Sequence, residues 1–447
     1  MPSAPIIHFV GHASFVVENQ HAALLADPWL AGTAFNDGWC HSAAPRLDDD
    51  LRARISDVYI SHEHPDHFSP PSLSRLAGPG APTVRIQTTR DGRVAAYCRA
   101  KGFEVTELPP HERFALGRGF EVVCGPHRHM DSWLLADIDG TTVLNLNDCR
   151  VTDAAQALRV RSITGPVDVL FTQFSYANWV GNPDEVDRRR AYADLMLGYV
   201  RTQIEILEPR YVVPFASFIR FGHAENAYLT DDLPGLREVV DYVDRHTSAT
   251  AVAMYPGDVW VVGEAHDTEK AIERYEADAS EPRALVDPAR SLSLDELQGL
   301  AADHVERLRA RSNQMAAVRV LEAARFLPAV RVRLWDLGCT VEFRCDRGLE
   351  ATAEPAHVAM GTDSLAFCLE HDFGAETLYV NGRYRVLHGP EKLFFRHFYP
   401  AILNNQGFSF PIGAAEFLLR DRLAWRVRAG REALRARRAR KRGLSIT

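Results

Sequence analysis

Residues 61–68 read SHEHPDHF and follow directly on the apolar run DVYI at 57–60. His62 and His64 alternate along extended backbone, so both imidazoles face the same side. Asp66 and His67 come after a turn and reach a second point nearby. One ion cannot easily take all four donors from so tight a segment. Two adjacent ions can, in the manner of dinuclear centres whose metals sit ~3.5–4 Å apart. Such a centre needs further ligands, ideally including a carboxylate able to bridge. The chain offers His127 in GPHRHMD, Asp148 in NLNDC and His223 in RFGH, each at or just beyond the end of a predicted strand. Each has a plainer reading. His129 competes with His127, Asp148 is equally placed to cap a helix starting at Cys149, and His223 fits an ordinary loop. Asp27 in LLADPWL could accept the free N–H of a ligating histidine and fix its tautomer, or could be a turn aspartate before Pro28. His12 in VGHAS is a pocket wall or a turn residue.

Outward from this stretch, IIHFV, SFVVE and ALLAD read as successive strands separated by GHA and NQH. FEVVCG, VDVLFTQ, YVVPF, TAVAMY and DVWVVG continue the pattern. WLLADIDGTTVLNL reads as a hairpin turning at Asp139-Gly140. A helix is predicted over 184–207, opened by Asn182-Pro183 and closed before Pro209, with Tyr192, Leu195, Met196 and Tyr199 on its apolar face. Strands with intervening helices predict an α/β layered domain over 1–263. The polar segment 264–290 reads as a linker. Ser293 and Glu296 have capping-box spacing. Helices near 293–326, strands VRVRLW, TVEFRC and TLYVNGRYRVL, and a helix around SLAFCLEHDF make 291–410 a smaller α+β domain.

The chain has 447 residues, a formal net charge of −8, and an ordinary globular composition of 46% hydrophobic and 25% charged residues. Two domains suit that length. No apolar run suits a membrane span and the start does not resemble a signal peptide. Seven cysteines lie scattered, with no CxxC pair, as in a reduced cytoplasmic protein. Residues 420–442 hold 11 Lys+Arg against 2 Asp+Glu, net +9, so the remainder carries −17. The stretch 411–447 reads as a basic helix, with Leu419, Leu423, Val427 and Leu434 on one face.

HxHxDH after GHASFVVE and LLADPWL resembles the metallo-β-lactamase fold, a four-layer αβ/βα sandwich that hosts several unrelated chemistries. Within it, ISHEHPDHFSPPSLSRLAG, GPHRHMDSWLLADIDGTTVLNLNDC, VVPFASFIRFGHAENAYL and FFRHFYPAILNN are similar, in the same order, to the catalytic portion of the CMP-N-acetylneuraminate hydroxylase family. The likeness runs from about residue 5 to about residue 410. It implies His127 rather than His129 as third histidine, and aligns Asp148 and His223 with ligands. One ion is then expected on His62, His64 and His127, the other on Asp66, His67 and His223, with Asp148 bridging. Asp66 and Asp148 are the carboxylates expected at the chemistry. Tyr176, Asn178 and Trp179 in FSYANWVGNP fall where the family has a pocket loop, and 291–410 is expected to cap the site. The family's Rieske pattern, Cys-x-His…Cys-x-x-His, does not occur in this sequence.

The same ligands serve two chemistries. With two irons the protein is a non-haem monooxygenase acting on a small polar metabolite with O2; with two zincs it is a hydrolase of phosphodiesterase, lactonase or amidase type. The resemblance favours iron and oxygen. No nicotinamide, flavin or iron–sulfur motif is present, so a separate ferredoxin-type donor is expected, for which the basic segment is one contact. An anionic membrane surface or a solvated helix packed on its own body are others. No nucleic-acid-binding pattern accompanies it.

Overall fold

The computed structural model describes residues 4–127, 130–282, 284–311, 315–323, 327, 329–389 and 391–407. The basic stretch 411–447 and His129 lie outside the described residues. The chain divides into two compact units. The first comprises residues up to Asp287 together with Tyr379–Arg383; the second comprises Pro288–Leu378 and the residues from Tyr384 onward.

Sixteen strands build the first unit: Ile6–Gly11 (β1), Ser14–Glu18 (β2), Ala23–Ala26 (β3), Trp39–His41 (β4), Asp57–Ile60 (β5), Thr83–Gln87 (β6), Val105–Leu108 (β7), Arg113–Gly117 (β8), Phe120–His127 (β9), Asp131–Ile138 (β10), Thr141–Asn145 (β11), Val169–Gln173 (β12), Tyr211–Phe215 (β13), Ile219–Phe221 (β14), Thr250–Ala251 (β15) and Val259–Val261 (β16). They form two seven-stranded mixed sheets, ordered β16-β1-β2-β3-β5-β6-β7 and β15-β13-β12-β11-β10-β9-β8, and a small pair β14-β4. The Asp139-Gly140 turn joins β10 to β11, with Ile138 opposite Thr141. Both turn residues have positive φ, as a tight hairpin requires.

The two large sheets face each other across one core. Phe15 of β2 stacks on Phe171 of β12 at 4.1 Å, and Phe215 of β13 meets both edge-on. Helices cover the outer faces. Asp49–Arg54 (α1), Pro70–Ser74 (α2) and Arg93–Ala100 (α3) lie along the first sheet, where Leu51, Leu73, Val94 and Cys98 join a second core with Leu25, Val58 and Ile86. Ala154–Thr164 (α4), Val186–Leu207 (α5), Leu236–His246 (α6) and Thr268–Ser280 (α7) contribute to the main core. In α6 the buried residues Leu236, Val239, Val240 and Val243 recur at helical spacing and anchor that face.

Two local expectations shift. α5 buries Ala193, Met196, Leu197, Val200, Ile204 and Leu207. Leu195, placed on the apolar face by its sequence spacing, is 44% exposed. The buried stripe lies one position round, because Arg189 and Gln203 also point inward: Arg189 pairs with Asp232 and Gln203 with Thr172. In 264–290, α7 buries Ala271, Ile272 and Tyr275 in the main core; its three apolar residues are spaced for one helical face even though its surroundings are polar.

The second unit holds Leu294–Arg311 (α8), Met315–Ala323 (α9), Thr362–Glu370 (α10), Gly374–Asn381 (α11, whose last three residues belong to the first unit) and Leu393–Asn405 (α12). Among the described residues its strands are Val330–Leu334 (β17), Cys339–Arg344 (β18), Gly348–Thr352 (β19), Val358–Met360 (β20) and Arg385–Val386 (β21), in the order β19-β18-β17-β20-β21. The Ser293–Glu296 capping box forms in both directions. The stretch TLYVN, expected as strand, is the end of α11; only Arg385–Val386 pairs as β21. Among the described residues no helix is long and apolar enough to cross a membrane.

Candidate metal centre

β5 ends at Ile60, and the chain then turns sharply. His64 O accepts from both His67 N and Phe68 N, and Pro65 sits inside that turn. The turn brings His62, His64, Asp66 and His67 to the strand's C-terminal edge. Pro70 at the first turn of α2 stops the loop from lengthening.

Asp27 organises this loop. It lies just past β3 with φ 40°, fully buried. Its Oδ1 accepts from Ser61 N at 2.8 Å, and its Oδ2 accepts from Ser61 Oγ at 2.8 Å and from His67 Nδ1 at 2.9 Å. With Nδ1 donating to Asp27, His67 directs its Nε2 inward, 3.2 Å from Asp66 Oδ2 and 3.8 Å from Asp148 Oδ2. Ser61 relays the same constraint. Its hydroxyl hydrogen goes to Asp27, so its oxygen accepts from His62 Nδ1 at 2.9 Å. That leaves His62 Nε2 to face His64 Nδ1 at 2.8 Å and Asp148 Oδ2 at 3.5 Å. Ser132 fixes the strand end from the other sheet, donating to Ser61 O at 2.7 Å while its own oxygen lies 2.7 Å from Tyr59 OH.

Two triads of ligand atoms result, each within 4.8 Å: His62, His67 and Asp148, and His12, Asp66 and His67. His12 is buried, with Nε2 3.2 Å from Asp66 Oδ2. The buried atoms His67 Nε2, Asp66 Oδ1, Asp148 Oδ1 and His12 Nδ1 make no hydrogen bond among the described residues. Unsatisfied buried polar atoms on these four neighbouring residues suit bound cations, because such atoms are otherwise costly. The donor set, imidazole and carboxylate without thiolate, fits a site for hard-to-borderline divalent metal.

The electrostatics fit as well. Burial would raise the Asp66 pKa, but His67 and His12 outweigh it and hold the carboxyl well below its usual range. Burial would lower the His67 pKa, but Asp66, Asp148 and Asp27 together hold it well above. Burial pushes Asp148 and Asp131 up. Burial, then the neighbouring His67, lowers His62 to about 4.

The remaining expected residues lie as follows. His64 sits beside His62 with its ring 5.6 Å from Phe35. His127 ends β9, partly exposed, its Nε2 3.3 Å from Arg150 O. His223 is fully buried and its N–H donates to Asn226 Oδ1 at 2.8 Å. His64, His127 and His223 are in neither tight triad. Tyr176 and Trp179 are buried; Tyr176 OH donates to Leu229 O at 2.7 Å, and Asn178 Nδ2 donates to Tyr379 OH at 3.2 Å.

Two residues at the centre gave no recognisable signal. Asp131 starts β10 directly opposite His127 and interacts with His62, His64 and His67; its place after a histidine-rich stretch was the available clue. His41 on β4 stacks on Trp29 at 3.7 Å. Its two ring nitrogens are buried without hydrogen bonds, and burial, then His12, lowers it to about 3. Nothing in WCHS marks it.

Comparison with known proteins agrees with this architecture. Residues 6–215 match the Beta-lactamase superfamily domain. The chain is 25% identical over 252 residues to a cytidine monophosphate-N-acetylneuraminic acid hydroxylase of Danio rerio, covering 50% of this chain and 40% of that protein. It is 26% identical over 247 residues to the human protein named as the inactive form of that hydroxylase, covering 50% of this chain and 47% of that one. The chain thus spans less than half the length of these relatives. Among solved structures, CmlA, a diiron beta-hydroxylase from Streptomyces venezuelae, superposes with TM-score 0.43 at 19% identity, over 59% of this chain and 55% of that one.

Proposed function

We propose that the metallo-β-lactamase-fold domain of this chain, two mixed sheets between helices with a further sheet-containing region after it, is the catalytic part of a non-haem diiron monooxygenase. The substrate class is a small polar metabolite. The observation that carries the reading is a buried centre of imidazole and carboxylate donors only, in a chain whose curated relatives are named hydroxylases. When bound, two irons would supply O2 activation.

His62, His67 and Asp148 would hold one ion in this proposal, and His12, Asp66 and His67 would border the other; His64, His127 and His223 are the further candidate ligands. Asp27 keeps His67 in the tautomer that binds, and Ser61 does the same for His62. Asp131, which interacts with His62, His64 and His67 but belongs to neither triad, is the residue to hold or pass a proton, since burial raises its carboxyl. One oxygen atom enters a C–H or N–H bond and the other leaves as water, which takes two electrons and two protons from outside. A ferredoxin-type protein is the proposed donor.

The test is a paired assay on one preparation. Iron-loaded protein with O2, a chemical reductant and a panel of sugar-nucleotide and amino-acid-derived substrates should consume O2 and yield product one oxygen heavier. Zinc-loaded protein hydrolysing phosphodiesters, lactones or amides, while the iron form leaves O2 untouched, would overturn the oxygenase reading and establish the hydrolase.

A further inference from the structure

The second unit gathers ligand-type side chains of its own. Glu322 on α9, Cys345 just past β18 and His397 on α12 each offer one atom, and the three atoms lie within 4.8 Å of one another. All three residues are buried, Cys345 and His397 completely. Cys345 Sγ stands 3.2 Å from His397 Nε2. The Cys345 backbone N–H donates to Glu322 Oε1 at 2.9 Å, which fixes that carboxylate and directs its second oxygen away. Glu322 Oε2 and Oδ1 of the adjacent Asp346 are buried with no hydrogen-bond donor beside them, and the two carboxyls interact with each other. Arg344 stands 3.6 Å from each of these two oxygens, too far for a hydrogen bond.

The Cys345 thiol donates to His397 O at 3.2 Å, but two carboxyls facing each other in a largely buried setting are costly unless something binds them. Without a cation the group must hold protons. Burial, reinforced by Asp346, pushes Glu322 up to about 7, and burial pushes the Cys345 thiol well up. A divalent ion removes the need. Arg344, Arg347 and Arg319, 3.6–4.0 Å away, offset Asp346; Glu322 and a Cys345 thiolate then leave two negative charges, which such an ion neutralises.

We propose that Glu322, Cys345 and His397, with Asp346 as fourth donor, form a binding site for a single divalent transition-metal ion of the zinc class. Sulfur, nitrogen and carboxylate donors together suit zinc over iron or magnesium. Burial makes the site closed, so its role is structural: it ties α9, β18 and α12 together.

Cobalt replacement in the full-length protein tests this. A thiolate-to-cobalt charge-transfer band in the near ultraviolet should appear, with visible bands of tetrahedral intensity. Cys345→Ser should abolish the near-ultraviolet band and lower cobalt content by one equivalent. Cys149→Ser, which removes the thiol beside Asp148, should leave both unchanged. Glu322→Gln keeps the oxygen that accepts from Cys345 N. It should weaken cobalt binding at this site beyond the ~10–100-fold typical of losing an outer-shell partner. Absence of the band in the unaltered protein, its survival in Cys345→Ser, or its loss in Cys149→Ser would overturn the proposal. Should Cys345→Ser fail to fold, Glu322→Gln decides: undiminished cobalt affinity refutes the site.

Discussion

The two clusters of ligand-type residues are assembled in opposite ways. At the end of β5, four donors fall within six consecutive positions, and one tight turn brings them together. In the second unit, Cys345 lies 23 positions from Glu322 and 52 from His397, and only the packing of two helices on a sheet unites them. A centre of the first kind shows in any reading of the chain. One of the second kind stays hidden until the core is folded, since each member alone passes for a small apolar residue, a surface acid or a core histidine.

The largest effect expected follows from His67, the one side chain common to both triads. His67→Ala should bring metal at the first centre, and any turnover, to background. The cobalt–thiolate signal of the second unit should persist. If both vanish together, the two clusters are not separate sites and the contrast fails.

A smaller effect is expected from acid. His304 in the second unit is buried, with Nδ1 3.1 Å from Leu369 O, and burial, then Arg307, lowers it to about 4. The unfolded chain takes up this proton near pH 6.5 and the folded one only near 4. Stability is therefore fully present above about 6.5 and is lost as pH falls through that window, by about 3 kcal/mol in all. His304→Phe should flatten the fall in Tm between pH 6.5 and 4. An unchanged slope would assign it to the buried imidazoles of the first unit, His41 and His62.

Asp27→Asn comes next. The substituted side chain still fills the space but no longer offers two anionic oxygens to Ser61 and His67. Metal affinity of the first centre should drop ~10–100-fold, read by chelator competition, without loss of fold. A loss as complete as that of His67→Ala would make Asp27 part of the ligand set. The smallest effect concerns α5: Leu195→Ala should change stability by less than about 0.5 kcal/mol, as exposed positions do. A larger change in urea unfolding would return Leu195 to the core.

Legibility followed the same division. The sheet strands, the Asp139-Gly140 hairpin, the capping box at Ser293 and the HxHxDH loop rest on short-range rules and were readable. Asp27's bond to His67 was readable as one option of two, because Asp-Pro serves turns as well as ligands. His41 and Asp131 were not: His41 reaches the centre through the pairing of β4 with the distant β14, and Asp131 reads as an ordinary first residue of a hairpin strand. The stripe on α5 was misplaced by one position because two polar residues, Arg189 and Gln203, found buried partners that no periodicity announces. The end of α11 was mistaken for strand because TLYV carries the β-branched and aromatic residues of one; the tertiary setting overrode that preference.

The five residues 379–383 cluster with the first unit although most of their sequence neighbours do not. Asn226 Nδ2 donates to Asn381 O at 2.7 Å and to Gly38 O at 3.1 Å, while its Oδ1 accepts from His223 N. Arg383, 1% exposed, pairs with Glu225 at 2.8 Å, and a Cβ on Gly38 would collide with the Asn381 side chain. The loop that carries His223 thus hangs on a late piece of chain. An expression fragment stopped at Asp287, where a sequence-minded cloner would cut, would leave Glu225 and Asn226 facing a vacated slot. Such a fragment reports on a broken protein, not on an isolated catalytic half. During synthesis, likewise, this loop cannot reach its final form until nearly four hundred residues have left the ribosome.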